Sequence, residues 1–450
     1  MSASGLGVCC GGRVCRAFGW VRRCLLVVLM VVSFAGSGYS DSDSVAGDGA
    51  MVGFMREALA THPSIGMQVA VLEASEHGYQ RSRWAYFPTP IISSSTAWRQ
   101  SSSGAAGGVS GEKISLGLSQ PLWTGGRLTA GRELASAGLG EASARLEEVS
   151  LDLMQSVLSG VGQWRAAYLR RQAWRQNVRV HDELRAQMDR RLASGVASRS
   201  DLALAVSRYE GVAAELSQFD AEVAAARAAL EQLLGRELSD QELLSIPEEP
   251  FPWVDGEGVD VLLRQALEGH PAMLAAEAEV ERRRAEYGQV RAERYPNIRL
   301  EVRHREFHRG PAEQVAELVV ESEFGPGLSV VSAAQQAVAN VDAARAGLDE
   351  QQRRVAEMIT QDYVTLEALD SQIEPVRRSV VEAENVFASY RRQYLAGQKT
   401  WLDVLNSAGE VASTKVRLTD AITTRMVLSW RLALNTYGID SVLGVDLGGG

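Results

Sequence analysis

The chain has 450 residues, a formal net charge of −10 at pH 7 and 46% hydrophobic residues. An acidic chain is a poor nucleic-acid binder, because phosphate contacts need patches of lysine and arginine. Its length would be sufficient for two or three domains.

Residues 1–40 have the order of a secretory signal peptide that is cleaved on export. Four arginines precede the apolar run at 24–34, and small residues follow it. This run is shorter than the roughly 20 residues of a membrane-spanning helix, so we expect export rather than anchoring. All four cysteines lie in this segment, which excludes disulfides, thiol nucleophiles and cysteine-bound metals from the mature chain. No later run is long enough for such a helix, so passage through a membrane would need β-strands.

The rest of the chain is a tandem duplication. The string ALATHP at 58–63 recurs 208 positions later as ALEGHP at 266–271, and the match continues without a gap to Pro88 and Pro296. Each repeat has the order helix, β-hairpin and two long helices, so the repeats are expected to be two halves of one domain. We interpret the ranges as a first repeat (41–245), a proline-rich surface connector (246–258), a second repeat (259–438) and a tail (439–450).

Each repeat begins with a helix whose first residue is a proline. His62 and His270 stand directly before these prolines and are predicted to cap the helices. Alternating apolar and polar residues then predict β-hairpins at about 89–123 and 297–325. The apolar face fits either a half-buried sheet or the lipid-facing side of a barrel, which four strands cannot close without oligomerisation. The residues expected to face lipid are Ile114, Leu116, Leu118, Ile298, Leu300 and Val302.

Long helices are predicted by proline-poor stretches with heptad spacing. They cover 125–193 and 199–235 in the first repeat, and 328–395 and 400–437 in the second. Pro375 is expected to produce a local kink. Helices of this length occur in solenoids, coiled coils and conduits.

The long helices of each repeat turn at matching tips. Gly195 and Gly397 are predicted to end one helix in left-handed backbone, and Ser or Thr begins the next. An aspartate, Asp201 or Asp403, follows six residues after each glycine. Together with the duplication and the string PLWTGGR at 121–127, these tips resemble the outer-membrane efflux (TolC) family over roughly residues 51–438.

This resemblance implies an α+β membrane protein that is not an enzyme. The family assembles as a homotrimer in which each protomer gives four strands to one shared transmembrane β-barrel and its coiled-coil helices to a periplasmic tunnel closed at the tips. The implied location is the outer membrane of a Gram-negative bacterium. The implied partners are outer-membrane lipid, a periplasmic adaptor (membrane fusion) protein and an inner-membrane ABC transporter or proton-driven pump. In such a barrel Leu300→Arg is expected to impair assembly, whereas Glu301→Arg is not.

The family closes its tunnel by polar links between neighbouring helices, and the matching positions here are Asp201, Tyr394 and Lys399. Asp403 matches the acidic ring at the aperture, and Asn406 stands where the family commonly has a second aspartate. Three copies of Asp403 would favour cations. Without the resemblance, the two aspartates are first-turn acids that favour the helix dipole, and Tyr394 is a packing residue.

Trp401 and the string WLDVLN at 401–406 are more similar to the type I secretion branch, particularly adhesin export, than to the drug-efflux branch. A tryptophan at a tip could equally be an adaptor contact in either system. The outlet of a small-molecule efflux pump therefore stays open, as does a soluble periplasmic coiled-coil scaffold. His304 and His308 are expected to be solvated lumen residues rather than metal ligands. No motif predicts a catalytic site or a cofactor.

Overall fold

The computed structural model describes residues 48–94, 112–246, 250–251, 258–307, 311–322, 326 and 329–444. The predicted signal peptide, the turns of both hairpins, most of the connector and the end of the tail lie outside the described residues.

The first repeat contains five helices, the last of them short, and two strands among the described residues. These elements are α1 (Asp48–Thr61), α2 (Pro63–Trp84), β1 (Thr89–Ser93), β2 (Glu112–Trp123), α3 (Arg127–Ala193), α4 (Arg199–Leu234) and α5 (Asp240–Leu244). The second repeat repeats the order as α6 (Val259–Gly269), α7 (Pro271–Ala292), β3 (Asn297–Phe307), β4 (Glu313–Glu321), α8 (Val330–Leu395) and α9 (Trp401–Leu443). Helix α8 continues through Pro375. Helix α9 extends beyond the predicted end at 437, with a break at Gly438 (φ 78°).

The prediction that two histidines cap helices is confirmed. The Nδ1 atom of His62 accepts a hydrogen bond from the backbone N–H of Ser64 (3.3 Å), and Nδ1 of His270 accepts one from Ala272 (3.1 Å). Both histidines have extended backbone and are followed by proline at the first helical position. An acceptor at this position satisfies one of the N–H groups that a helix start leaves unpaired.

The four strands form one antiparallel sheet in the order β1-β2-β3-β4. Strands β2 and β3 pair across the two repeats, with Leu118 opposite Val302 and Ser119 opposite Glu301. One face of the sheet is apolar and exposed. Its large side chains are Leu116, Leu118, Leu300, Val302, Leu318 and Val320.

The opposite face carries an ion-pair network. Arg299 donates to Glu301 (2.5 Å from Nε to Oε1), and Arg303 pairs with the same carboxylate, which is almost completely buried. Glu301→Arg is therefore a poor test of the lumen face, because a third arginine would replace the anion between two others. His304 lies opposite Leu116, on the same face as Val302, because alternate residues of a strand share a face. The expectation that it lies on the polar face was wrong, and His308 lies outside the described residues.

The main core lies around the middle of α3, where α1 and the end of α9 pack against it. Helix α6 packs on α8 and α9, and Leu243 of α5 belongs to the same buried cluster; we call α1, α5, α6 and the end of α9 the belt. Trp164 of α3 and Trp430 of α9 are among the fully buried side chains of this core. The connector was predicted to lie on the surface, but part of it enters the core. Phe251 is buried with its ring 4.8 Å from that of Trp430, and its N–H donates to Ser429 (2.9 Å), so an apolar anchor lies within a proline-rich acidic stretch.

Candidate functional site

The two helix tips have the same backbone geometry. Gly195 and Gly397 adopt left-handed φ angles of 73° and 76°. Val196 N–H donates to Arg191 (2.9 Å), and Gln398 N–H donates to Gln393 (2.9 Å). These bonds close the ends of α3 and α8, and a residue with a Cβ would be strained in the glycine positions.

Each second helix of a tip begins with a capping box. Ser198 accepts from the backbone N–H of Asp201 (3.1 Å), and the Asp201 carboxylate accepts from Ser198 N–H (3.2 Å). Thr400 and Asp403 make the same pair of bonds (3.2 and 3.1 Å). The hydrogen bonds from the Thr400 hydroxyl and backbone, with Lys399 nearby, lower the pKa of Asp403. Both predicted site aspartates therefore have a local structural role, and Asp403 is held as the anion.

The two long helices of each repeat form a helical hairpin. A hydrophobic cluster near the turns joins the two helical hairpins, and we call it the tip cluster. Trp401 is only 5% exposed and packs with its ring 5.1 Å from Tyr394, while the Arg191 guanidinium lies 5.0 Å above the Tyr394 ring. This burial removes Trp401 from the accessible surface of the protomer. The buried members of the tip cluster are Leu184, Met188, Ala205, Trp401, Val404, Leu405 and Ala408.

Each of the three predicted link residues has a different partner within the described protomer. The Asp201 carboxylate bonds to Ser198, Tyr394 packs against Trp401, and the Lys399 ammonium lies 4.2 Å above the ring of Tyr390. Their assignment to links between neighbouring helices of a closed tunnel stays a prediction.

One contact across the tips was not predicted from the sequence. Arg208 of α4 donates to the side-chain oxygen of Asn406 on α9 at 3.5 Å. This bond joins Asn406, at the predicted aperture, to the helical hairpin of the first repeat. Arg208 lies one heptad after Asp201 and thus on the same side of α4, which is the signal that could have indicated it.

A groove of about 1010 Å³ runs between α3, α4, α8 and α9 at the level of the belt. At 3.6 residues per turn, the side of α3 that lines it is opposite the side that enters the belt core. Asp362 and Arg431, which form an ion pair, lie in its wall with Thr423. The α3 residues that line the groove include Gln155, Ser159, Gly162 and Ala166, and those in the core include Met154, Val157, Val161 and Trp164.

Within the described part of the chain, no group of histidine, aspartate and glutamate side chains could hold a metal ion. No helix among the described residues is both long and apolar enough to cross a bilayer.

Comparison with known proteins gives a family match over both repeats. Residues 54–236 and 262–429 match the family described as outer membrane efflux protein. Among solved structures, CusC is 18% identical over 90% of this chain and 96% of that chain, with a TM-score of 0.75. VceC from Vibrio cholerae is 18% identical over 86% and 96% (TM-score 0.73), and MtrE from Neisseria gonorrhoeae is 18% identical over 90% and 96% (TM-score 0.70). No curated protein sequence matches the chain.

Proposed function

The chain belongs to the outer membrane efflux protein family, and from this premise we propose that it is the exit channel of a type I secretion machine that releases a large adhesin or a similar protein. Members of the family are channels and not enzymes. The chain is an outer-membrane channel with a large periplasmic part, of the trimeric kind that works with an adaptor and an inner-membrane pump. A soluble periplasmic scaffold is therefore set aside.

The four-stranded sheet, with one apolar face and one charged face, is the observation that best supports a membrane channel. Its exposed apolar face, along Leu118, Val302 and Leu318, is one that a soluble domain would bury. Its other face holds the network around Glu301, which suits a water-filled lumen. Among the described strands, β1 and β4 each have one unpaired edge. Three copies joined edge to edge would leave none, which is the condition for a stable sheet in a membrane.

The groove opposite the belt supports a conduit through the helical part. Its wall combines small side chains with charged ones, as at Gly162, Ala166 and Arg431. Because the belt covers the other side of α3, the groove is the side left to face the axis of a trimer. A polar wall would allow hydrated cargo to pass without binding strongly.

The string WLDVLN at 401–406 supports protein secretion as the cargo class, through its similarity to the type I secretion branch. With Trp401 inside the tip cluster, we assign it to holding the two hairpins together rather than to binding an adaptor. Small-molecule efflux is the second candidate, and the family's own description as an efflux protein favours it.

Deletion of the gene in the native host tests both cargo classes. Protein secretion predicts that a large surface or culture-supernatant protein is lost and accumulates inside the cell, with unchanged minimum inhibitory concentrations of drugs. Efflux predicts lower inhibitory concentrations with an unchanged secreted protein profile. Complementation with the wild-type gene should restore the affected property, and recovery of the protein in the soluble periplasm instead of the outer membrane would contradict both proposals.

A further inference from the structure

A small cleft lies where the two helical hairpins meet. Helix α9 packs against both α3 and α8, and a cleft of about 180 Å³ is lined by all three helices. Along α3 it lies between Arg170 of the large groove and Leu184 of the tip cluster. Ala408 and Ala412, one helical turn apart on α9, form part of its wall. These short side chains leave the space between the longer ones unfilled.

Most of the cleft is apolar. Val180 of α3, Phe387 of α8 and Val411 of α9 line it together with the alanines. An apolar cavity of roughly 150 Å³ in a protein core is large enough to hold a benzene molecule. The cleft therefore has room for one ring that carries a small substituent.

The α3 side of the cleft contains a buried amide without a partner. Asn177 lines the cleft and is 4% exposed, and among the described residues neither its Nδ2 nor its Oδ1 has a hydrogen-bond partner. His181, one turn further along α3, donates from Nδ1 to the backbone carbonyl of Asn177 (3.0 Å) and so does not serve the side chain. A buried amide that lacks partners costs free energy. A ligand with one donor and one acceptor would supply both bonds.

The charged side chains of the cleft are already paired. The Lys415 ammonium of α9 forms an ion pair with Glu384 of α8 (2.6 Å) and donates to the Gln176 side-chain oxygen of α3 (3.0 Å). No net charge is left to attract an ionic ligand.

We propose that the cleft binds a small uncharged carboxamide. Its carbonyl accepts from Nδ2 of Asn177, its N–H donates to Oδ1, and its apolar part lies against Phe387 and Val411. The bound molecule contacts α3 of one helical hairpin and α8 and α9 of the other, so it holds the two helical hairpins together.

Benzamide is a suitable probe, since it is one ring with one carboxamide. The full-length protein, purified from outer membranes in detergent, should bind it saturably in isothermal titration calorimetry. The Tm should rise with benzamide concentration, because the ligand binds only the folded chain. Toluene has a similar shape but no hydrogen-bonding group, and it should bind about tenfold more weakly because two hydrogen bonds are lost. Benzoate should also bind more weakly, since its charge would be buried without a partner.

Two variants separate the amide from the space. Asn177→Leu keeps a similar volume, so it should lose the preference for benzamide over toluene. Without ligand its Tm should be no lower than that of the wild type, because an unpaired amide has been removed. Ala412→Leu fills the cleft and should abolish binding of both probes. Val381→Ala is the matched control, because Val381 is an exposed residue of α8 that does not line the cleft.

Three results would overturn the site. One is that wild-type protein binds benzamide no better than toluene, and another is that Asn177→Leu keeps the preference. The third is a lower Tm of Asn177→Leu without ligand, which would show that the amide already has a partner, such as a group from a second copy. The site does not depend on the cargo of the channel. A trimer in the outer membrane that binds no benzamide would refute the site alone, whereas a soluble monomer would refute the proposed function.

Discussion

Arg431 and Asp362 form a two-point ion pair between α9 and α8, with 2.6 Å between Nε and Oδ2, and the carboxylate of Asp362 is almost completely buried. The guanidinium is about a third exposed, so the two partners differ in their access to water.

Removing Arg431 should therefore lower the free energy of unfolding more than removing Asp362. Arg431→Ala leaves a buried carboxylate unpaired, which typically costs about 3–5 kcal/mol. Asp362→Ala leaves an arginine that can still reach solvent, and its cost should be clearly lower. Chemical denaturation of both variants measures the difference, and equal costs would show that the pair is solvated in the assembled protein.

The sheet assignment predicts opposite outcomes at two adjacent positions. Leu118→Arg places a charge on the apolar face, at a cost of about 2–4 kcal/mol at mid-membrane, and should reduce trimer yield in the outer membrane. Ser119→Arg lies on the other face, opposite Glu301, and should be tolerated. Immunoblots of heat-resistant trimers compare the two, and equal yields would contradict the barrel orientation.

The link residues predict a leakier channel when they are removed. Asp201→Ala with Tyr394→Phe should raise single-channel conductance in planar bilayers, because several weak links repeated around an axis hold the tips closed. Asp201→Ala also removes a capping contact, so Asp201→Asn is the matched control that retains an acceptor for Ser198 N–H. If conductance rises with Asp201→Ala but not with Asp201→Asn, the effect comes from the lost helix cap and not from a lost link.

Asp403 should make the aperture cation-selective over a wide pH range. Its pKa is lowered by the Thr400 hydrogen bonds, so the carboxylate stays ionised until the pH falls below the usual aspartate range of about 3.9. Reversal potentials should thus show the same cation preference at pH 7 and pH 5, and Asp403→Asn should reduce it at both. A preference that is unchanged in the variant would remove Asp403 from the aperture.

His270 should make the protein less stable in mild acid. Burial lowers its pKa, and its Nε2–H donates to Asn435 (3.0 Å) while Nδ1 already accepts from Ala272. The unfolded chain takes up a proton as the pH falls below about 6.5 and the folded chain does not, so stability is full above that pH and declines below it. The decrease in Tm between pH 7 and pH 5 should be smaller in His270→Asn than in the wild type.

The duplication, the two hairpins and the long helices could be predicted from sequence, and the fold is confirmed by the family match and by solved structures. These features depend on local patterns. Heptads, period-two alternation, prolines at helix starts and glycines at turns each act within a few residues.

The tertiary structure decided which of these residues contact each other. Trp401 is buried in a cluster to which Met188 and Ala205 of the other helical hairpin belong. Glu301 is buried because arginines approach it from both sides along its own strand. Phe251 is anchored by Ser429 and Trp430, far away in the chain. Met67 of α2 is exposed and its equivalent in the second repeat, Ala275 of α7, is buried, because different helices lie beside α2 and α7. Equivalent residues in a duplicated sequence have the same local preferences, so only their packing partners could make their environments differ.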